Sequence, residues 1–136
     1  MCGIAGFSMF HGPVANAAGL VSRMTDALAH RGPDDAGHLI TPRMVLGHRR
    51  LSIIDPSGGA QPMASPKGRK HLVFNGELYN FMELRQANEA QGKVYSTHSD
   101  TEVLLHELLR DPMAALPQLN GIFAFAFWNE DQQELL

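Results

Sequence analysis

Cysteine is almost absent from this chain: Cys2 is the only one in 136 residues. One thiol closes no internal disulfide, so a reducing, cytoplasmic compartment is expected. No apolar run is long enough to cross a bilayer, and no basic stretch followed by an apolar core marks a secretory signal. Charged residues make up only 18% and sum to −3, which leaves no footprint for nucleic acid or an anionic membrane. Repeats, low-complexity tracts and linkers are lacking as well. Histidine is plentiful, but His11, His30, His38, His48, His71, His98 and His106 scatter without metal-ligand spacing, and no HExxH occurs. No metal centre is expected from them.

What is present reads as one globular domain with 44% hydrophobic residues. Residues 3–10 predict a buried strand carrying Ile4, Phe7 and Phe10. Residues 16–29 predict a helix with Leu20, Met24 and Leu28 on its apolar stripe, stopped at Gly32-Pro33. Two strands follow over 36–41 and 44–54, joined by a turn at Thr41-Pro42-Arg43, and a Gly/Ser/Pro-rich loop runs from Pro56 to Pro66. A short strand, His71 to Phe74, leads into Asn75-Gly76. Asn80 with Glu83, and Ser99 with Glu102, are the capping-box patterns of two further helices. Gly121 to Trp128 alternates phenylalanine with alanine, as a strand buried on both faces, and Gln133 to Leu136 begins another. This mixture of hairpins and helices predicts an α+β class with antiparallel sheets. The apolar ending suggests a domain truncated on its C-terminal side, whose uncovered edges would invite pairing of two copies as a homodimer.

Several segments carry chemistry beyond this framework. Removal of Met1 would leave Cys2 with a thiol and a free α-amine on one Cα. Their reference pKa values, about 8.5 and roughly 7.7–8.0, lie close enough for the amine to serve as base to the sulfur. An ordinary small residue opening a strand is the plainer reading. Arg49 and Arg50 sit inside an apolar strand, where a period of two sends them to opposite faces. The inward one needs an anionic partner, either a bound carboxylate or a protein aspartate. Asn75-Gly76 suits a tight turn, or a side-chain amide and an unobstructed N–H as a donor pair for an oxyanion. Asp34 and Asp35 fit loops whose amides they would satisfy. Asp100 complements a helix N-terminus and is also free to hold an ammonium group.

In order, Met1-Cys2-Gly3-Ile4, Arg31-Gly32-Pro33-Asp34-Asp35, His48 to Asp55, Gln61-Pro62-Met63, Asn75 to Asn80, Ser99 to Glu102 and Gly121 to Ala126 resemble the glutaminase domain of glutamine-hydrolysing asparagine synthetases. That domain is a class II glutamine amidotransferase among the N-terminal-nucleophile hydrolases, and the resemblance covers residues 1–136. It implies a four-layer αββα sandwich. It also implies that Cys2 attacks the side-chain amide of L-glutamine, with Asn75 and Gly76 as the oxyanion hole. Arg50 would grip the α-carboxylate and Asp100 the α-ammonium, with Glu77 beside it. Leu51, Ser52, Ile53 and Ile54 would wall the pocket. No cofactor is implied for this step. ATP and Mg²⁺ would act in a covalently linked synthetase domain, absent here, that amidates aspartate. Domains acting on sugar or cell-surface acceptors share this architecture. Phosphoribosylamine and glucosamine-phosphate enzymes also begin Cys-Gly-Ile, but the Arg-Gly-Pro-Asp-Asp and Arg-Arg-Leu-Ser-Ile-Ile-Asp segments favour the asparagine-synthetase branch. A non-catalytic domain that only binds glutamine or assembles is the reading from another class.

Overall fold

A computed structural model describes residues 2–53, 55 and 57–136. Expectations that fall on Met1, Ile54 and Pro56 lie outside the described residues. Strand β1 (Gly3–Ser8) and strand β2 (Asp35–Ile40) flank β3 (Met44–Arg50), and both pair with it antiparallel. A second antiparallel sheet orders β4 (Met63–Ala64), β5 (Lys70–Leu78), β6 (Gly121–Asn129) and β7 (Glu134–Leu135). Helix α1 (Ala17–Asp26) lies on the outer face of the first sheet. Helices α2 (Phe81–Glu89) and α3 (Asp100–Arg110) cover the second. The two sheets face each other through β1, β3 and β5, which completes an αββα sandwich. A short helix α4 (Pro112–Ala115) and a 3-10 turn (Leu116–Gln118) lead into β6.

Strand alternation decides which layer each residue joins. In β3, Met44 and Leu46 point between the sheets, where they meet Val73 of β5 and Trp128 of β6. Val45, between them, points outward to Val21 of α1. In β5, Leu72, Phe74 and Leu78 turn instead toward Leu104, Leu105 and Leu108 of α3. Burial of a large aliphatic or aromatic side chain of this kind is worth about 1.5–3 kcal/mol.

Several local expectations needed correction. The buried residues of α1 are Val21 and Thr25, while Leu20 and Met24 are only half-buried and Leu28 lies beyond the helix. A Cβ on Gly47 would lie 2.5 Å from Thr25 and 2.8 Å from Val21, so α1 approaches β3 too closely for larger residues on that face. Strand β1 ends at Ser8, and Phe10 is exposed. Asn75-Gly76 is no turn: β5 runs straight through it, with Asn75 opposite Ala124 and Gly76 opposite Phe123. Asn80 makes no side-chain cap to α2; its amide bridges Gln118 O and Asn120 N. Ser99 does cap α3, accepting from Glu102 N, but Glu102 bonds Ser96 N and Thr97 N instead of returning to the cap. Strand β6 is covered on both faces only near its end. Ile122 is 66% exposed and Ala124 is exposed.

His48 ties the two sheets together. Its side chain is 1% exposed, and Nε2 donates to the carbonyl of Phe74 at 3.0 Å. Burial drives its pKa down to about 4, against the upward pull of that bond. A histidine with a depressed folded-state pKa stabilises the fold fully above its unfolded value near 6.5. That contribution is lost as pH falls toward 4, because the unfolded chain takes up the proton first. Between pH 7 and 4.5 the loss from this residue should be about 2–3 kcal/mol. Denaturant titrations should therefore show a steeper acid loss for the parent than for His48→Gln. Parallel stability–pH curves would contradict the assignment.

Candidate active site

The end of β3, the middle of β5 and the start of α3 converge on one cavity. Cys2, Arg50, Leu51, Gly76, Glu77 and Asp100 line it, with Ile53, Gly59, Gln61, Phe74, Ser99 and Thr101 completing the wall. Cys2 just precedes β1 and sits beside the chain leaving β3. Its sulfur accepts from Leu51 N at 3.3 Å and faces Leu51 O at 3.8 Å. Arg31 donates from Nε to the carbonyl of Cys2 at 3.0 Å, which anchors the backbone of the sulfur-bearing residue. Sequence reasoning treated Arg31 only as part of a turn. Its neighbour Gly32 has no room for a side chain: a Cβ would lie 2.4 Å from the backbone of Arg49.

The paired arginines part as the strand period requires. Arg49 points to α1, where it pairs with Asp26 at 2.7 Å and donates to Thr25 O. Arg50 points between the sheets, is 7% exposed, and donates from Nη2 to the main-chain carbonyl of Asp55 at 2.6 Å. A guanidinium so placed at a cavity wall suits a bound carboxylate. Asp34 satisfies a loop amide, accepting from Ser52 N at 2.7 Å. Asp35 accepts from Ala36 N. The strand expected to reach residue 54 stops at Arg50, since beyond it the chain leaves the sheet to wall the cavity. Leu51 and Ile53 line that wall, and Ser52 does not; Ile54 lies outside the described residues.

Asp100 occupies the first turn of α3 and is 6% exposed. Its Oδ2 accepts from Leu78 N at 3.2 Å. Burial pushes its pKa upward, and the nearby Glu77 carboxylate pushes the same way, while the backbone bonds oppose them. Two carboxylates facing one cavity, one of them desolvated, make a site that a bound cation relieves. Gln61 is a site residue that sequence spacing did not single out for a role. Its side chain accepts from Phe74 N at 2.6 Å and donates to Thr101 Oγ1 at 3.3 Å, pinning β5 to α3 behind the cavity. Asn75 stands between two lining residues, and its Oδ1 is buried without a hydrogen-bond partner.

The family model described as a glutamine amidotransferase domain matches residues 1–136. The chain belongs to the glutamine amidotransferase domain family. It is 42% identical over 137 residues to glutamine-hydrolyzing asparagine synthetase 3 of Bacillus subtilis, covering 99% of this chain and 22% of that protein. Asparagine synthetase 1 of the same organism is 41% identical over 138 residues, again with 99% and 22% covered. The chain thus spans 22% of the length of these curated relatives. Among solved structures, glutamine phosphoribosylpyrophosphate amidotransferase of B. subtilis superposes with a TM-score of 0.55 at 30% identity, covering 67% of this chain and 22% of that one. Among the described residues of the amidotransferase domain, no helix is long and apolar enough to cross a membrane.

Gly76 has the tightest surroundings in the domain's cavity wall. Its φ is +152°, and a Cβ would lie 2.1 Å from Ile122 O and 2.6 Å from the Cα of Phe123. Both atoms belong to a paired strand and cannot move aside cheaply. Gly76→Ala should cost at least about 2 kcal/mol of folding stability by chemical denaturation. An alanine variant as stable as the parent would contradict the close β5–β6 approach.

Proposed function

We propose that this domain hydrolyses L-glutamine to glutamate and ammonia, with Cys2 as nucleophile. The observation that carries the reading is the convergence of a thiol, a buried guanidinium and a buried carboxylate on one cavity. An α-amino acid presents a carboxylate and an ammonium on one carbon, and Arg50 and Asp100 complement those charges. With the zwitterion gripped there, its side chain extends toward Cys2. Glu77 supports the ammonium end, and Leu51 and Ile53 contribute the wall that follows Arg50.

Once Met1 is removed, the α-amine of Cys2 takes the thiol proton. The sulfur attacks the amide carbon, and the negative oxygen is held by the Asn75 side-chain amide and Gly76 N–H. The same amine returns the proton to the departing nitrogen, leaving a thioester that water cleaves to glutamate. The place of Asn75 between the lining residues Phe74 and Gly76 supports setting its amide N–H₂ near the reacting centre. Removing one oxyanion donor commonly costs 10²–10³-fold in kcat.

In the full-length protein the ammonia would pass to a covalently linked synthetase domain. There, ATP and Mg²⁺ would activate an acceptor carboxylate, aspartate in the reading that the B. subtilis relatives favour. No residue of this chain is assigned to the nucleotide or the metal. The cytoplasm is the compartment that suits a free N-terminal thiol. Cys2→Ala should abolish ammonia release while L-glutamine affinity by calorimetry stays within about threefold of the parent, because the nucleophile acts on the barrier and contributes little to binding. Ammonia release equal to the parent's would overturn the nucleophile assignment.

A further inference from the structure

Arg50 and Asp100 reach the cavity from different sheets: Arg50 ends β3, and Asp100 opens the helix that packs on the second sheet. Something must fix the distance between them if they are to read both groups of one α-carbon. The loop at Asp55 spans that gap. Its main-chain carbonyl accepts from Arg50 Nη2 at 2.6 Å. Its carboxylate Oδ2 accepts from His98 N at 2.7 Å, two residues ahead of Asp100. The other oxygen, Oδ1, accepts from Gly58 N at 3.0 Å and from Ser57 Oγ at 3.1 Å, which closes the loop on itself. The bond from His98 N holds the Asp55 carboxyl below the usual carboxylate range, so it is an ionised acceptor at neutral pH.

The backbone is bent to make this double contact. Asp55 has φ 46°, a left-handed conformation that turns its carbonyl toward Arg50 and its side chain toward the 97–98 turn. The loop is pressed against both partners. A Cβ on Gly59 would lie 2.6 Å from Arg50 Nη2 and 3.4 Å from Ser99 Cβ, and one on Gly58 would lie 2.9 Å from Thr97 Cβ. From the far side, Arg85 Nη1 donates to Thr97 O at 2.7 Å, and Glu102 accepts from Ser96 N and Thr97 N. The turn before Asp100 is therefore clamped between α2 and α3 on one side and Asp55 on the other.

We propose that Asp55 is a positioning residue that sets the span between Arg50 and Asp100, and through it the selectivity of the cavity for an α-amino acid. This inference rests on the glutamine site described above. Asp55 does not line the cavity; it acts through Arg50 and Asp100, which do.

Asp55→Gly is the informative variant. Glycine adopts the left-handed backbone without strain and keeps the carbonyl for Arg50, so the change removes the carboxylate's bonds to His98, Gly58 and Ser57 and leaves the main-chain link to Arg50 in place. The expected outcome is a KM for L-glutamine raised about tenfold or more, with kcat within about threefold of the parent. Preference for L-glutamine over glutaramate, which lacks the α-ammonium, should fall by a similar factor, since the pairing of the two clamps is what discriminates. Asp55→Asn retains an acceptor oxygen and should recover most of the lost selectivity. Unchanged KM and selectivity in Asp55→Gly would overturn the proposal, as would a loss of kcat and melting temperature with KM unaltered. A parent chain that neither binds nor hydrolyses L-glutamine would bring down the glutaminase reading itself, and the inference with it.

Discussion

A guanidinium forced inward at the end of a strand governs much of this molecule. Consecutive strand residues cannot share a face, so Arg49 and Arg50 serve different layers. Arg49 meets Asp26 on α1, an ion pair with one exposed partner and modest worth. Arg50 enters the gap between the sheets, where an unsatisfied cation would be far more costly. The chain leaves the sheet at once after Arg50, and the Asp55 carbonyl accepts from the guanidinium. That departure also seats Cys2 against Leu51 and leaves a cavity where a continued strand would have filled space.

A second buried charge faces the same cavity from the helix packed on the other sheet. Asp100 is desolvated, with its pKa displaced upward by burial and by Glu77. Evolution toward stability alone has little reason to bury opposite charges on separate elements around a space. A ligand bearing an ammonium group would offset the desolvation of Asp100. Some of the chain's strain and tight contacts lie at this site: the left-handed backbone of Asp55, the φ of +152° at Gly76, and the missing Cβ atom at Gly59. Local conflicts of this sort are expected where a site is built, not where a core is packed.

The sequence made some of this legible and concealed the rest for identifiable reasons. The split of Arg49 from Arg50 followed from strand period alone. The Ser99 cap and the start of α3 at Asp100 followed from side chains that bond local amides. Asn75-Gly76 misled because turn chemistry is a local signal, whereas its pairing with Ala124 and Phe123 joins residues far apart in the chain. Asn80 failed as a cap because Gln118 and Asn120, brought close by the fold, compete for its amide. The buried stripe of α1 was misassigned because closeness to Gly47 selects small residues over the most apolar ones. Roles for Arg31, Gln61 and Asp55 were hidden since each depends on a backbone atom of a distant segment.

The proposed chemistry makes Cys2 the nucleophile of a cavity that also holds Arg50 and Asp100. Intact-mass spectrometry after incubation with 6-diazo-5-oxo-L-norleucine, a glutamine analogue that alkylates such nucleophiles, tests it most directly. The expected result is a chain lacking Met1 that carries a single adduct located on Cys2, with excess L-glutamine protecting against it. A chain lacking Met1 that stays unmodified, or that is alkylated at another residue, would contradict it.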